Sequence, residues 1–203
     1  MYSQSNEDDF LLNFFGKRKG TLLDIGANDG VTFSNSRALI CEGWDAVLVE
    51  PDPIAFESLV NVYEANEAVT CYLLAISDVD GDVPFWQSGS HLLRGDSGLL
   101  STTSAAAYDK WKGSTAFVKT SVAALSWPSF LKGCMRKKFD FITIDAEGQD
   151  LAILRQMDLK ALGCKAICVE HNGVNTNEFI RYIASFGFRE ALINSENLIM
   201  IRK

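Results

Sequence analysis

Short apolar runs alternate with helix-period patterns along most of the chain, and this alternation limits the possible folds more than any other feature. Residues 21–25, 46–50, 70–76, 139–144 and 165–170 are β-branched or aliphatic runs of strand length, each bounded by turn residues. Between them lie helical patterns. Residues 34–41 precede Gly43, a helix stop. Asp52 and Pro53 offer an N-cap and first helical position before Phe56, Leu59, Val60 and Tyr63. Leu151, Leu154 and Met157 mark another helix, and Asn175 to Glu178 reads as a capping box before Phe179, Ile180 and Ile183. At the start, Ser5 to Asp8 caps a helix carrying Phe10, Leu11, Phe14 and Phe15 on one face. Strands alternating with helices require right-handed crossovers, hence an α/β, doubly wound, mostly parallel sheet. Residues 187–193 and 198–201, joined by a polar turn at 194–197, close it with one antiparallel strand.

At 203 residues the chain is expected to form one domain, 1–203, with an N-terminal helical segment over 1–20. Residues 78–138 break the rhythm, and 61 residues are too many for one crossover helix. Residues 79–130 are therefore expected to be a hairpin and loop inserted over the ligand side of the sheet. Residues 83–86 and 116–122 read as its strands, and 126–131 as a short helix. The net charge of −7 disfavours nucleic acid and anionic membrane surfaces as partners. No run nears the ~20 apolar residues of a membrane span, and the polar, acidic start is unlike a signal peptide, so a cytoplasmic location is expected. Five cysteines without a CxxC pair read as small buried thiols.

The turn Asp24-Ile25-Gly26-Ala27-Asn28-Asp29-Gly30 follows the first strand. In doubly wound sheets this turn borders the ligand crevice. Glu50 ends the second strand, twenty residues after Gly30, the position of a carboxylate that grips a ribose diol. The G-x-x-x-G spacing departs from the dinucleotide fingerprint G-x-G-x-x-G. Asp24 and Asp29 bracketing the turn would repel a pyrophosphate, yet suit a ligand bearing an ammonium and a sulfonium. S-adenosylmethionine has both, and a ribose.

Four blocks resemble the FkbM-type S-adenosylmethionine-dependent methyltransferases. They are Tyr2-Ser3-Gln4 with Glu7-Asp8; LLDIGANDGVTFSNS and GWDAVLVEPDP within 22–53; Ala75 to Asp78 with Asp80-Gly81; and FDFITIDAEGQDLAIL, 139–154. ICVEHN, 167–172, follows in the expected place. The resemblance implies a Rossmann-like seven-stranded sheet of order 3-2-1-4-5-7-6 and methyl transfer to a hydroxyl of a sugar, glycan or small metabolite. It places Asp24, Gly26, Ala27, Asn28 and Gly30 on the methionine and ribose side, with Glu50 and Pro51 at the ribose. Ser77 and Asp78 fall by the adenine, Asp145 near the reacting methyl, and Gln4 over the cofactor. Two other readings stay open: a silent cofactor-binding module acting through a partner, and an NAD-dependent oxidoreductase.

Asp145, Glu147, Glu170, His171 and Asn172 fall at the ends of two adjacent strands. Two mechanisms for activating a hydroxyl fit them. His171 takes the proton while Asp145 or Glu170 orients it, or the carboxylates hold a divalent ion such as Mg²⁺. The first is the expectation, with His171, Asp145 and Glu170 catalytic. His91, in the insertion, reads as an ordinary loop residue. Trp86, Tyr108 and Trp111 with Ser97, Ser101, Thr102 and Thr103 suit acceptor binding. Lys17-Arg18-Lys19 and Arg136-Lys137-Lys138 each precede a strand, so both belong to the edge opposite the crevice.

Overall fold

The computed structural model describes residues 2–92, 96 and 98–203. Its main sheet contains β1 (Thr21–Ile25), β2 (Asp45–Glu50), β3 (Val69–Leu73), β7 (Phe141–Ile144), β8 (Ala166–Glu170), β9 (Phe188–Ile193) and β10 (Asn197–Arg202). A smaller sheet holds β4 (Ala75–Ser77), β5 (Gly81–Ser88) and β6 (Phe117–Ser126). The helices are α1 (Glu7–Phe15), α2 (Arg37–Cys41), α3 (Pro53–Tyr63), α4 (Ala105–Trp111), α5 (Trp127–Gly133), α6 (Asp150–Leu154) and α7 (Thr176–Ala184).

The main sheet runs β3-β2-β1-β7-β8-β10-β9. Counted within that sheet this is 3-2-1-4-5-7-6; the chain-wide numbers differ because β4–β6 intervene. The first five strands pair in parallel, while β10 pairs antiparallel with β8 and β9. Side chains alternate between faces, so each strand feeds two cores. Leu23, Ile142, Ile144 and Val169 pack with Ile153, Phe179 and Ile183, beneath α5, α6 and α7. Leu22, Leu48, Phe141 and Cys168 pack with Leu11, Phe15, Leu39 and Leu59, beneath α1, α2 and α3. Strands buried on both faces need continuous apolar runs, which is what the sequence contains.

Asp52 caps α3 as expected, its carboxylate accepting from the Ile54 amide at 2.9 Å. Two other caps differ. At α1 the partners are Ser3 and Asp8: the Asp8 amide donates to Ser3 Oγ (3.3 Å) and Ser3 N–H to Asp8 Oδ2 (3.2 Å). Asn175 sits left-handed at φ 57° and makes no side-chain cap. The run 70–76 is not one strand. The chain leaves the main sheet after Leu73 and enters the smaller one at Ala75, where β4 pairs with β6. Antiparallel β5 and β6 form the expected hairpin, longer than its sequence signal, and α4 follows a stretch whose Ser and Thr content hid it.

Gly26 (φ 90°) ends β1 against β7, where an added Cβ would lie 1.7 Å from the Asp145 carbonyl oxygen. At Gly30 (φ 74°) an added Cβ would instead meet side chains, Leu59 at 2.6 Å and Tyr63 at 2.8 Å. Gly26→Ala is expected to cost more than about 3 kcal/mol, because two backbones must part, and Gly30→Ala roughly 1–2 kcal/mol. Urea denaturation compares them; equal losses would refute this ranking.

Candidate active site

A cavity of about 340 Å³ opens at the C-terminal ends of β1, β2, β7 and β8, the side that parallel sheets leave for ligands. The turn after β1 forms its floor. Gly26 and Ala27 donate their amides to the Val49 carbonyl at 2.9 and 3.1 Å, drawing β1 and β2 together. Asn28 takes a left-handed φ of 47°, and its amide reaches Glu50 Oε2 at 2.8 Å. The other Glu50 oxygen accepts from the Asp52 amide at 2.7 Å. Glu50 is thus aimed by its own loop, and its remaining lone pairs face the cavity it lines. Asp24 is buried and accepts from Ser36 Oγ at 2.6 Å.

Of the residues expected at a cofactor, Gln4, Asp24, Gly26, Ala27, Asn28, Glu50, Pro51 and Asp145 line the cavity. Three others do not. Gly30 packs beneath the turn, its carbonyl accepting from Tyr63 Oη (3.1 Å) and Arg37 (3.2 Å). Ser77 and Asp78 lie beyond the wall formed by Leu74, Ala75 and Ile76, and the Ser77 hydroxyl donates to Asp78 at 3.2 Å. Asp29 is spent on its own turn, accepting from the Val31 and Thr32 amides at 2.8 and 2.7 Å. The charge that bears on a ligand there is Asp24's.

The described lining carries six carboxylates, Asp24, Glu50, Asp145, Glu147, Glu170 and Glu196, and neither Lys nor Arg. Burial pushes Asp24, Glu50, Asp145, Glu147 and Glu170 up. Glu50 rises to about 8, the amides of Asp52 and Asn28 opposing the shift, and Asp24 to about 6 despite Ser36. Asp145 rises to about 6, with a hydrogen bond from Glu170 pulling it back and the Asp24 charge adding to the rise. Burial and its acidic neighbours hold Glu170 and Glu147 well above the usual range. Asp150 rises to about 7, by burial and the charge of Asp145, while accepting from the Ala146 and Gly148 amides at 2.8 and 3.0 Å. Carboxylate oxygens of Asp145, Asp150 and Glu170 lie within 4.8 Å of one another, close enough to share a divalent cation.

His171 is positioned otherwise than expected. Its ring lies outside the first cavity, on a second of about 300 Å³ that shares Trp111, Glu147, Glu170 and Asn172 with it. Nδ1 accepts from the Gly173 amide at 2.9 Å, and Nε2 lies 3.2 Å from the Asn194 carbonyl. An acceptor Nδ1 makes Nε2 the protonated nitrogen, so both are committed to holding the loop. These bonds count against the expectation that His171 is the general base. His91 does line the first cavity, with its Nδ1 buried and unpartnered and its ring edge-on to Trp111. Nothing in its sequence neighbourhood marked it.

The insertion seats on the loops that shape the site. Gln87 and Ser101 hydrogen-bond Asp52 at 2.7 and 3.1 Å, and Thr102 Oγ1 donates to the Glu147 carbonyl at 2.8 Å. Ser101, Thr102 and Thr103 border the cavity; Ser97 lies outside the described residues. Trp86 and Tyr108 stack on each other, ring centroids 5.3 Å apart, leaving Trp111 as the aromatic that lines both cavities. Of the two basic clusters, Arg136 pairs with Asp45 at 2.6 Å at the opposite edge of the sheet.

Raised acid pKa values mean that the folded protein binds protons the unfolded chain has already lost. These groups contribute stability fully below about pH 4, and it is lost as pH rises through 6 to 8. Glu7, which Asn194 and Asn197 hold below its usual value against the effect of burial, is essentially ionised above pH 5.5 in both states and adds no slope there. Unliganded protein is expected to lose roughly 1–3 kcal/mol between pH 5.5 and 8.5, each unit of retained shift being worth about 1.4 kcal/mol. Denaturant titrations across that range test it, and a rise in stability would contradict the assignment.

No curated protein matches the chain. Among solved structures, an FkbM methyltransferase from Methylobacillus flagellatus KT superposes with a TM-score of 0.54 at 15% identity, over 91% of this chain and 44% of that one. The METTL16 methyltransferase domain gives 0.51 at 11% identity, over 95% of this chain and 63% of its own. This chain therefore spans under two thirds of either protein, and at such identities the likeness concerns the fold alone. The Methyltransferase FkbM domain, by contrast, matches residues 24–190, from the carboxylate of the glycine turn to the end-strand hairpin. That match covers most of the sequence, and the chain belongs to the FkbM methyltransferase family.

Proposed function

We propose that the protein transfers a methyl group from S-adenosylmethionine to a hydroxyl oxygen of a sugar, glycan or small metabolite bound where the two cavities meet. One observation carries the reading: a strand-end cavity with six carboxylates and no described cation. Such a lining repels the pyrophosphate of NAD and favours a ligand bearing an ammonium, a sulfonium and a ribose diol. Among the described residues no helix is long and apolar enough to cross a membrane.

The residues fit that cofactor. Glu50 has lone pairs left for ribose hydroxyls, and Asp24 brings negative charge to the methionine side. When bound, the cofactor supplies an electrophilic methyl group. The chain's own task is to hold the acceptor and take its proton. Glu170 spans both cavities, so it marks their junction. Burial and the neighbouring acids hold Glu170 well above the usual carboxylate range, while its hydrogen bond with Asp145 pulls Asp145 back down to about 6. Asp145 is then the ionised member at neutral pH, and a base with a pKa near the working pH is the efficient kind. Trp111 offers an aromatic face to the acceptor from α4.

Ribose hydroxyls donating to Glu50 favour its ionised form. Binding of S-adenosylhomocysteine near pH 7 is therefore expected to release protons, because unliganded Glu50 titrates near 8. Calorimetry in buffers of different ionisation enthalpy reads this; proton uptake, or a melting shift with NAD alone, would sink the cofactor reading.

Asp145→Asn is expected to lower kcat by about 10²–10⁴-fold, the scale of general-base catalysis, with S-adenosylhomocysteine affinity retained. Wild-type activity should fall below about pH 6 as Asp145 protonates. His171→Gln should cost stability rather than shift that profile. S-adenosylhomocysteine formation across a panel of sugars and small alcohols is the readout. Binding without turnover would favour a silent module. Activity lost to chelation and restored by Mg²⁺ would give Asp145, Asp150 and Glu170 a metal to hold instead.

Trp111→Ala is expected to raise acceptor KM at least tenfold while moving S-adenosylhomocysteine affinity less than about threefold, under ~1 kcal/mol. The reverse pattern would assign Trp111 to the cofactor.

A further inference from the structure

Asn35 lies in the segment between the glycine turn and α2, is only 6% exposed, and lines the first cavity. Its Oδ1 is buried and has no hydrogen-bond partner. Buried carbonyl oxygens nearly always find a donor, so an orphan bordering a cavity marks where a ligand supplies one. The neighbours on either side are engaged: Ser34 Oγ accepts from the Arg37 amide at 3.1 Å, and Ser36 Oγ holds Asp24 at 2.6 Å. Asn35 is therefore pinned by its flanks on the Asp24 side of the cavity, while Glu50 occupies the next strand end. Gln4, exposed on the N-terminal segment, borders the same cavity. The terminal amide torsion of asparagine is soft, so a small rotation brings Oδ1 to a ligand.

We infer that Asn35 Oδ1 accepts a hydrogen bond from the α-ammonium of the cofactor's amino-acid arm, acting with the Asp24 charge to select a cofactor that carries that arm. The inference rests on the reading that S-adenosylmethionine is the cofactor. An ammonium is donor-only, matching an acceptor-only oxygen beside a carboxylate. The ribose contributes hydroxyls that Glu50 can take, and the adenine amino group would need an acceptor on the far wall, where Leu74, Ala75 and Ile76 lie. The amino-acid arm is the part left for Asn35.

The test is calorimetric binding of three probes to wild type, Asn35→Ala and Asn35→Asp. S-adenosylhomocysteine carries ammonium and carboxylate, its decarboxylated analogue keeps only the ammonium, and 5′-methylthioadenosine has neither. Asn35→Ala should weaken the first two roughly ten- to a hundredfold, the range for a hydrogen bond to a charged group, and leave the third within about twofold. Asn35→Asp, which keeps an acceptor oxygen, should recover most of the loss. The melting temperature of unliganded Asn35→Ala should be unchanged or higher, because an orphan carbonyl is removed; a lower one would mean a structural role and overturn the inference. Loss confined to S-adenosylhomocysteine would mean that the Asn35 amide nitrogen serves the carboxylate, and equal loss for all three that Asn35 merely shapes the pocket; either overturns it. If no probe binds wild type, the cofactor reading itself fails, and this inference with it.

Discussion

The close approach of two backbones at the ends of β1 and β7 is the contact on which the site depends. Gly26 meets the Asp145 carbonyl with no room for a side chain, while the Asp145 amide donates to the Ile25 carbonyl at 2.9 Å. This contact sets how far the glycine turn stands from the acidic end of β7. The turn then amide-bonds to Val49, which brings Glu50 under Asn28. Three strand ends are thus registered by main-chain contacts, and the side chains lining the cavity inherit their positions. A site built on rigid strand ends keeps its geometry without depending on loop order.

The electrostatic character follows from that packing. Six carboxylates lining one cavity would repel one another in water, and burial adds a desolvation penalty. The protein carries both costs in the unliganded state, partly relieved by backbone amides at Glu50 and Asp150. Left-handed backbone at Asn28, Glu147 and Asn172, φ 44–47°, lies at the same rim. Strain and buried charge collected in one place are features of a site kept for a ligand rather than for stability.

The insertion is fastened to this frame at the points where the frame is already fixed. Asp52 caps α3, orients Glu50 through its amide and also receives Gln87 and Ser101. Glu147, in the loop after β7, receives Thr102. Hydroxyls that looked like acceptor contacts are therefore partly clamps, and α4 is carried to a place where Trp111 borders both cavities.

The sequence by itself determined the alternation of strands and helices and the position of the glycine turn, because those rest on local signals; the strand order came with the family resemblance. Apolar runs buried on both faces, the Asp52–Pro53 cap, and the spacing from Asp24 through Gly26 to Glu50 are all short-range. It did not determine which polar groups would be free to act. Asp29, Gly30, Ser77 and His171 stand where the motifs put them, yet their bonding groups are turned to loops and neighbouring backbone. Asn35 sits in the glycine block without being singled out there and His91 lies outside every block, and only the folded chain leaves each with a buried, unpartnered atom at the cavity. Whether a donor or acceptor is satisfied depends on partners far away in sequence, such as Asn194, the 23rd residue beyond His171. That accounting closes only in three dimensions.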